Sequence, residues 1–424
     1  MKKLTEFLSE SLTAYHACDN LRQALLENGF LQIYESDDWN LTENGKYFIV
    51  RGGSVIAFTV DSLDDFAYKI VAAHPDSPAL KIKENPLNTG AYYSTLNTET
   101  YGGGIWYSFF DRPLKIAGRV VTRNGALLES KTVTSPFNVT IPSLAIHQNR
   151  QVNDGFAVDK QVDLQPLVAL SDAGLTMENL LQNISDGEIV AHDLYLVNAE
   201  KPYTFGLNDE FLASPRLDNL TSLYAMLNAF LAHKQSSGIC IMACLNHEEV
   251  GSLSSQGADG DFLETTLRRI AYAFRFDDNE YCKALASSFL LSADNAHAVH
   301  PNHPETTDPT NKPVLGGGIV IKSHAGGAYI TDAMSAAIVK TIFENAGVPY
   351  QYFVNHSNIR SGSTLGFAAV RHLGVQGADI GIAQLAMHSA CESCALADCE
   401  FIEKGIRAYL ESSIQAAENG FLVK

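Results

Sequence analysis

The sequence predicts an α/β fold: a mixed sheet with helices on both faces, plus an inserted and mostly β domain. Three observations lead there. Short apolar runs alternate with amphipathic stretches, both before residue 86 and after about 206. Between them the pattern changes to short alternating runs, a Gly102-Gly103-Gly104 triplet and an Asn124-Gly125 hairpin signal. The chain has 424 residues, 46% hydrophobic and 18% charged, which is enough for two domains with separate cores. The larger α/β domain is therefore assigned to 1–85 and 206–424, and the inserted β-rich domain to 86–205.

Residues 4–28 read as helix, because Leu4, Phe7, Leu8 and Leu12 keep helical spacing and Gly29 offers a stop. Strand-like runs follow at 47–50, 55–60 and 68–73, the last ending at His74. Inside the insert, 141–146 reads as a further short strand. Past 206, helix is expected over 222–233, 262–275, 331–346, 363–373 and 400–417. Strand is expected over 239–245, 318–322, 350–354 and 378–384. Gly347 is placed to stop the helix before it. No internal repeat or low-complexity segment interrupts the pattern.

Composition narrows the partners. A net charge of −18 argues against nucleic acid. Glu6, Glu10 and His16 interrupt the apolar core that a signal peptide needs, and no segment is long and apolar enough to span a bilayer. A cytoplasmic protein with no membrane partner is the expectation. The seven cysteines suit that reading. Cys240 and Cys244 lie in an apolar run and read as small core residues. Cys391, Cys394 and Cys399 cluster without the second ligand pair that a zinc knuckle requires. They read as core or incidental thiols, with metal binding as the alternative.

The adjacent carboxylates Glu248-Glu249 carry the strongest chemical signal. They follow the apolar run 239–245, at a strand end where open α/β sheets place their chemistry. Two neighbouring carboxylates resist ionising together unless one binds a cation and the other handles a proton. Four more sites join a strand end or loop to a ligand-type residue: His74 with Asp76, Asp218, Asp294 and His388. Imidazole and carboxylate suit zinc, and a pair of ions roughly 3.5–4 Å apart needs one bridging carboxylate. Taken singly, each of these residues reads equally well as a cap, a turn or a core hydrogen-bonding group. Five such places within one alternating domain favour the metal reading.

Here the chain resembles a known family. His74-Pro75-Asp76-Ser77-Pro78 is similar to the H-x-D-S-P motif of aspartyl aminopeptidases, two-zinc exopeptidases of the cocatalytic zinc peptidase class. Tyr101-Gly-Gly-Gly-Ile-Trp106, Phe110-Asp111-Arg112 and Gly118-Arg119-Val120 resemble their Y-G-G-G-x-W…F-D-R…G-R-V stretch. Ile141-Pro-Ser-Leu-Ala-Ile-His147, Leu217-Asp218-Asn219, His247-Glu248-Glu249-Val250-Gly251-Ser252 and Gln384-Leu-Ala-Met-His388-Ser389 match as well. The resemblance runs from about His74 to the carboxy terminus.

That resemblance implies roles residue by residue. Asp218 bridges two divalent ions, most simply zinc, with cobalt or manganese possible. Glu249 and His388 complete one ion, and His74 and Asp294 the other. Glu248 is the general base that later protonates the leaving amine. Asp76 stands behind His74 and fixes its ring. His147 is lent from the inserted domain to a neighbouring subunit, to stabilise an oxyanion; a satisfied strand-end histidine is the equal alternative. Lys322 matches the lysine that meets the acidic side chain of the substrate, with an ordinary solvated strand-end lysine as its alternative.

The resemblance implies a homo-oligomer, since the family forms tetrahedral dodecamers, with the insert as its dimerisation domain. The implied activity is metal-dependent release of amino-terminal Asp or Glu from peptides. Ser323-His324-Ala325-Gly326-Gly327 departs from the family pattern, so a broader specificity is one alternative. A two-zinc deacylase or carboxypeptidase is another, and a non-catalytic assembly protein of the same fold is a third. His297, His300, His303 and His356 read as loop groups, although His324 and His356 are placed to line a pocket.

Overall fold

The computed structural model describes residues 2–64, 66–234 and 237–424. Among them, nine strands form the central mixed sheet. Its order is Leu31–Gln32, Lys46–Arg51, Ser54–Ser62, Gly238–Cys244, Tyr68–Ala73, Phe289–Ala293, Gln376–Gly381, Ile319–Lys322 and Tyr350–Phe353. The four strands from Gly238–Cys244 to Gln376–Gly381 run parallel, so their carboxyl ends emerge along one edge. Ser54–Ser62 and Ile319–Lys322 pair antiparallel to this block.

The central strands are apolar on both faces because both faces are covered. Val55, Ala57, Val71, Ala73, Cys240, Met242 and Cys244 share one core with helices Leu4–Glu10, Ala14–Glu27, Leu217–Ala232, Ala333–Ala346 and Leu396–Glu411. Their alternate neighbours Ile56, Phe58, Ile70, Ala72, Ile239, Ile241 and Ala243 pack instead with Phe262–Ala273, Asp278–Ala286 and Leu365–Leu373. Cys240 and Cys244 are fully buried, as small core residues.

The inserted sheet is six-stranded and antiparallel. Its order is Leu127–Thr134, Leu114–Asn124, Glu188–Asn198, Ala79–Thr89, Tyr93–Tyr101 and Leu167–Leu170. It has a core of its own, where Leu80, Ile82, Leu96, Ile116 and Leu196 meet Trp106 and Phe109. Its strands begin at Ala79, somewhat ahead of residue 86. The hairpin turn falls one residue later than the Asn-Gly signal. Asn124 still pairs with Leu127, so Gly125 and Ala126 make the loop and Gly125 takes φ 62°. A five-stranded sheet joins Tyr203–Phe205, Phe211–Ser214, Glu392–Ala395, Ala383–Leu385 and Ala296–His297.

Four local readings change. The run 4–28 is two helices. The chain leaves helical geometry at Ser11, whose carbonyl accepts from Arg216 Nε and whose hydroxyl accepts from Asn20. Residues 141–146 are not a strand: Pro142 has no N–H to give a ladder, and Leu144 and Ile146 are 66% and 49% exposed. The run 378–384 divides, with Gln376–Gly381 and Ala383–Leu385 joining different sheets. The last helix ends at Glu411, and Ile414–Ala417 folds into a hairpin with Gly420–Val423. Among the described residues, no helix is long and apolar enough to cross a membrane.

Candidate active site

The carboxyl edge of the parallel block collects the polar groups. His74 directly follows Tyr68–Ala73, and Asp294 directly follows Phe289–Ala293. Glu248 and Glu249 sit in the tight turn Glu248–Val250, just past Gly238–Cys244. Asp218 lies in the first turn of Leu217–Ala232, where the backbone is not yet helical. His388 comes from the loop between Ala383–Leu385 and Glu392–Ala395. Arg216, His247 and His388 all take positive φ, which non-glycine residues adopt only under constraint.

Asp218 is the centre of the arrangement. Its Oδ1 lies 3.7 Å from His74 Nε2, and its Oδ2 lies 3.3 Å from His388 Nε2. His74 Nε2 is also 3.7 Å from Asp294 Oδ1, and His388 Nε2 is 3.3 Å from Glu249 Oε1. His74, Glu248 and Glu249 bring donor atoms within 4.8 Å of one another, and so do two donor groups built on Asp218, His74–Asp218–Asp294 and Asp218–Glu249–His388. The latter two share Asp218, one oxygen turned toward each.

A second layer of bonds holds these groups in place. Asp76 accepts from the backbone N–H of Glu248 at 3.2 Å and of Glu249 at 3.1 Å, and from the Tyr101 hydroxyl at 2.7 Å. Its Oδ1 lies 3.5 Å from His74 Nδ1, which also meets the Asp76 carbonyl at 3.1 Å. Glu392 accepts from the backbone N–H of Asp218 at 2.9 Å and of His388 at 2.6 Å. The His388 ring is held from the other side, with Nδ1 3.0 Å from the Gly103 carbonyl. Gly102 passes so close that a Cβ there would sit 3.1 Å from the Glu249 side chain, and its φ of 74° disfavours any side chain.

The electrostatics are those of a pocket with too many carboxylates. Burial pushes the Glu248 carboxyl well above its usual range; His74 counters this, while Asp294 and Glu249 add to it. Burial lifts Glu249 to about 7 against the pull of His388, and lifts Glu392 to about 8 with Asp218 reinforcing. Asp294 goes the other way: despite its burial, Lys322 and His74 draw it down to about 2. Burial favours the neutral His388 ring, yet Asp218 and Glu249 raise it to about 12. His74, completely buried, is likewise raised by Asp294 and Asp76.

These residues fit a metal. Asp218 Oδ1 and Glu249 Oε1 are buried without a well-formed hydrogen bond, although Glu249 Oε1 lies near the His388 ring. Orphaned buried oxygens need an explanation, and a cation supplies one. All the donors are imidazole nitrogens or carboxylate oxygens, the set that suits zinc.

The remaining candidates, Lys322 and His147, belong to neither donor group on Asp218. Lys322 is 2% exposed, which excludes a solvated strand-end lysine. Its Nζ is 3.7 Å from Asp294 Oδ2 and donates to the Asn295 carbonyl at 3.1 Å. His147 stands exposed after Leu144 and Ile146. Among the described residues, no hydrogen bond or ion pair ties it to the cluster. His297, His300 and His356 line a cavity of about 260 Å³ with Phe353 and Gln384. Sequence reasoning missed Glu392 and assigned no role to Tyr101. The one local hint was that Glu392 is an acid four residues past His388.

Comparison with known proteins converges on one kind of enzyme. A family model described as aminopeptidase I zinc metalloprotease (M18) matches residues 7–409. A probable M18 family aminopeptidase 2 of Clostridium acetobutylicum is 41% identical over 423 residues, covering 96% of this chain and 98% of the relative. A structure of the Ape4 and Nbr1 complex matches with a TM-score of 0.92 at 32% identity, covering 96% of this chain and 84% of that one. The S. cerevisiae mApe1 dodecamer matches with a TM-score of 0.82 at 25% identity, covering 96% of this chain and 95% of that one.

Proposed function

The chain belongs to the M18 family of zinc metallo-aminopeptidases, and from that premise we propose that it releases amino-terminal Asp or Glu from peptides. One observation carries the catalytic reading: two donor groups share Asp218, and the half-buried Glu248 stands beside them. Two divalent ions bound there would polarise the scissile carbonyl and ease ionisation of the attacking water. His74 and Asp294 would hold one ion, Glu249 and His388 the other, and Asp218 both. Zinc suits the donors, and cobalt or manganese would substitute.

Glu248 takes a proton from the attacking water on its carboxylate and passes it to the leaving amine. A raised carboxyl pKa suits a group that must both accept and return a proton. Asp76 positions rather than reacts. It clamps the backbone of Glu248 and Glu249 and the His74 ring together, so the base and the ligands keep their spacing.

Support for the acidic preference comes from Lys322. A buried ammonium next to the cleft favours a substrate carboxylate. Phe353, the partner of Lys322 across the sheet, and His297, whose ring Lys322 influences, border a cavity of about 260 Å³ together with His356, large enough for a short side chain. We further infer a homo-oligomer built through the inserted domain. There His147, flanked by exposed Leu144 and Ile146, would reach a neighbouring subunit's site and donate to the oxyanion. The seven cysteines are free thiols, which suits a reducing, cytoplasmic setting.

Hydrolysis of a panel of aminoacyl chromogenic substrates, with and without chelator, tests this. Asp and Glu derivatives should be cleaved several-fold faster than Leu or Ala derivatives, and chelation should stop all cleavage until zinc, cobalt or manganese is restored. Equal rates on acidic and neutral residues would reject the acidic preference. Turnover that survives chelation would reject the metal.

A further inference from the structure

The opposite end of the central sheet holds a second group of metal-type ligands, independent of the catalytic cleft. We propose that Asp61, His233 and Cys240 bind a zinc-class divalent ion as a structural staple. Their donor atoms lie within 4.8 Å of one another. His233 Nε2 is 3.5 Å from Asp61 Oδ2, and Cys240 Sγ is 3.9 Å from the same oxygen. Tetrahedral zinc with N, O and S donors holds them roughly 3.5 Å apart, so small side-chain shifts complete the coordination.

Three separate elements bring the ligands together. Asp61 stands near the end of Ser54–Ser62, and Cys240 pairs with Thr59 of that strand on one side and with Lys69 on the other. His233 caps the carboxyl end of Leu217–Ala232. Its orientation is that of a ligand. Nδ1 lies 2.6 Å from the Phe230 carbonyl, which can only accept, so Nδ1 keeps its proton and Nε2 is the nitrogen that faces the cluster and gives up its proton to a metal. The Thr59 hydroxyl, 3.4 Å from Nε2, or a water provides the fourth donor.

The surroundings carry charge of both signs: the Lys69 ammonium near Asp61 and Cys240 opposes a cation, and two helix ends favour one. Two helices, Leu217–Ala232 and Leu396–Glu411, point their negative carboxyl ends here. The Leu410 carbonyl accepts from Lys69 Nζ at 3.1 Å and lies 3.9 Å from Cys240 Sγ. The side chains of His233 and Asp61 are only 4% and 6% exposed. Entry is by a cavity of about 210 Å³ lined by Phe30, Lys46, Thr59, Asp61, Phe230 and His233. Binding exchanges two protons, one from the Cys240 thiol and one from the His233 imidazolium paired with Asp61, for one dication. The charge of the pocket is therefore unchanged, and Lys69 keeps its place on Leu410.

Cobalt distinguishes the two metal regions, because the catalytic donors include no sulfur. The full-length protein, stripped by chelator, is titrated with Co²⁺ and read for near-ultraviolet thiolate-to-cobalt charge transfer, with metal per chain measured in parallel. The wild type should show the band. Cys240→Ser and His233→Gln should each lose it and one equivalent of metal, while Cys394→Ser, which opens the 3.8 Å Cys394–Cys399 pair, should keep it. No band in the wild type, or a band that survives Cys240→Ser, overturns the proposal. Should Cys240→Ser fail to fold, His233→Gln decides alone: a band retained there, with native circular dichroism, is equally fatal.

Discussion

Two buried polar regions meet within three residues of chain, at Arg216 and Asp218, and they carry opposite charge. On the Asp218 side lies the cleft, where carboxylates crowd together and the half-buried His388 imidazole is driven up to about 12, against its partial burial, by Asp218 and Glu249. On the Arg216 side lies a seam between the helix Ala14–Glu27, the inserted sheet and the start of Leu217–Ala232. There burial pushes the His16 ring down to about 4, with Arg216 adding to the effect, and burial lowers Arg216 itself to about 10 against Glu392. The seam is satisfied. Arg216 donates to the Ser11 and Asn198 carbonyls at 3.2 and 3.1 Å, and His16 sits 2.9 Å from each of the Thr13 and Thr134 hydroxyls. The cleft leaves Asp218 Oδ1 and Glu249 Oε1 without a well-formed hydrogen bond. A buried region with its bonds complete needs nothing further; one with surplus negative charge and orphaned oxygens is built to receive cations.

The sharpest way to break this contrast is to remove Glu248. If the surplus charge serves chemistry, Glu248→Ala should lower kcat/KM on acidic-terminus substrates by roughly 10²–10⁴, the usual contribution of a general acid–base group. Metal content should stay at the wild-type level, because neither donor group that shares Asp218 includes Glu248. Turnover that persists in a metal-loaded variant would show that the carboxylate is only a neighbour.

A smaller effect is expected at Lys322, the cation inside the carboxylate-rich cleft. Lys322→Met should raise KM for Asp-peptides about 10- to 100-fold, the scale of one charge-assisted hydrogen bond. KM for neutral peptides should move less. Lys322 also pairs with Asp294 at 3.7 Å, so part of any loss will be shared by all substrates. The ratio between acidic and neutral peptides is therefore the measurement that matters, and an unchanged ratio would remove carboxylate recognition by this residue.

The two regions were not equally legible in the sequence. Runs such as 68–73 and 239–245 stand out because a strand buried on both faces is apolar without alternation, and the polar residues just beyond them mark the edge of the sheet. His74, Glu248, Glu249, Asp294 and His388 were visible as motif residues at such ends. Glu392 was not, because its use depends on Glu392–Ala395 pairing with Phe211–Ser214. That pairing brings its carboxylate to the Asp218 backbone, 174 positions away in the chain, and no local period announces it. The seam was silent for a similar reason. Leu4, Phe7, Leu8 and Leu12 keep helical spacing across Ser11, and the break there is made by bonds from Arg216 and Asn20. Long-range hydrogen bonds, rather than hydrophobic patterning, account for both omissions.

The seam offers the mildest test. Folding lowers the His16 pKa from its ordinary value of 6.5 to about 4, so the folded state prefers the neutral ring. Its contribution is complete above pH 6.5 and drains away as the pH falls from 6.5 toward 4, because the unfolded chain takes up the proton first. By pH 5 the loss reaches roughly 2 kcal/mol, from the spacing of the two values at 1.36 kcal/mol per unit. His16→Gln keeps a side chain able to reach the threonine hydroxyls but cannot titrate. Thermal melts should therefore show the variant close to, or slightly below, the wild type at pH 7.5, with the wild type losing a few degrees relative to it by pH 5. Parallel melting curves across that range would mean that His16 is protonated in the folded protein, and that the positive character of the seam does not reach its ring.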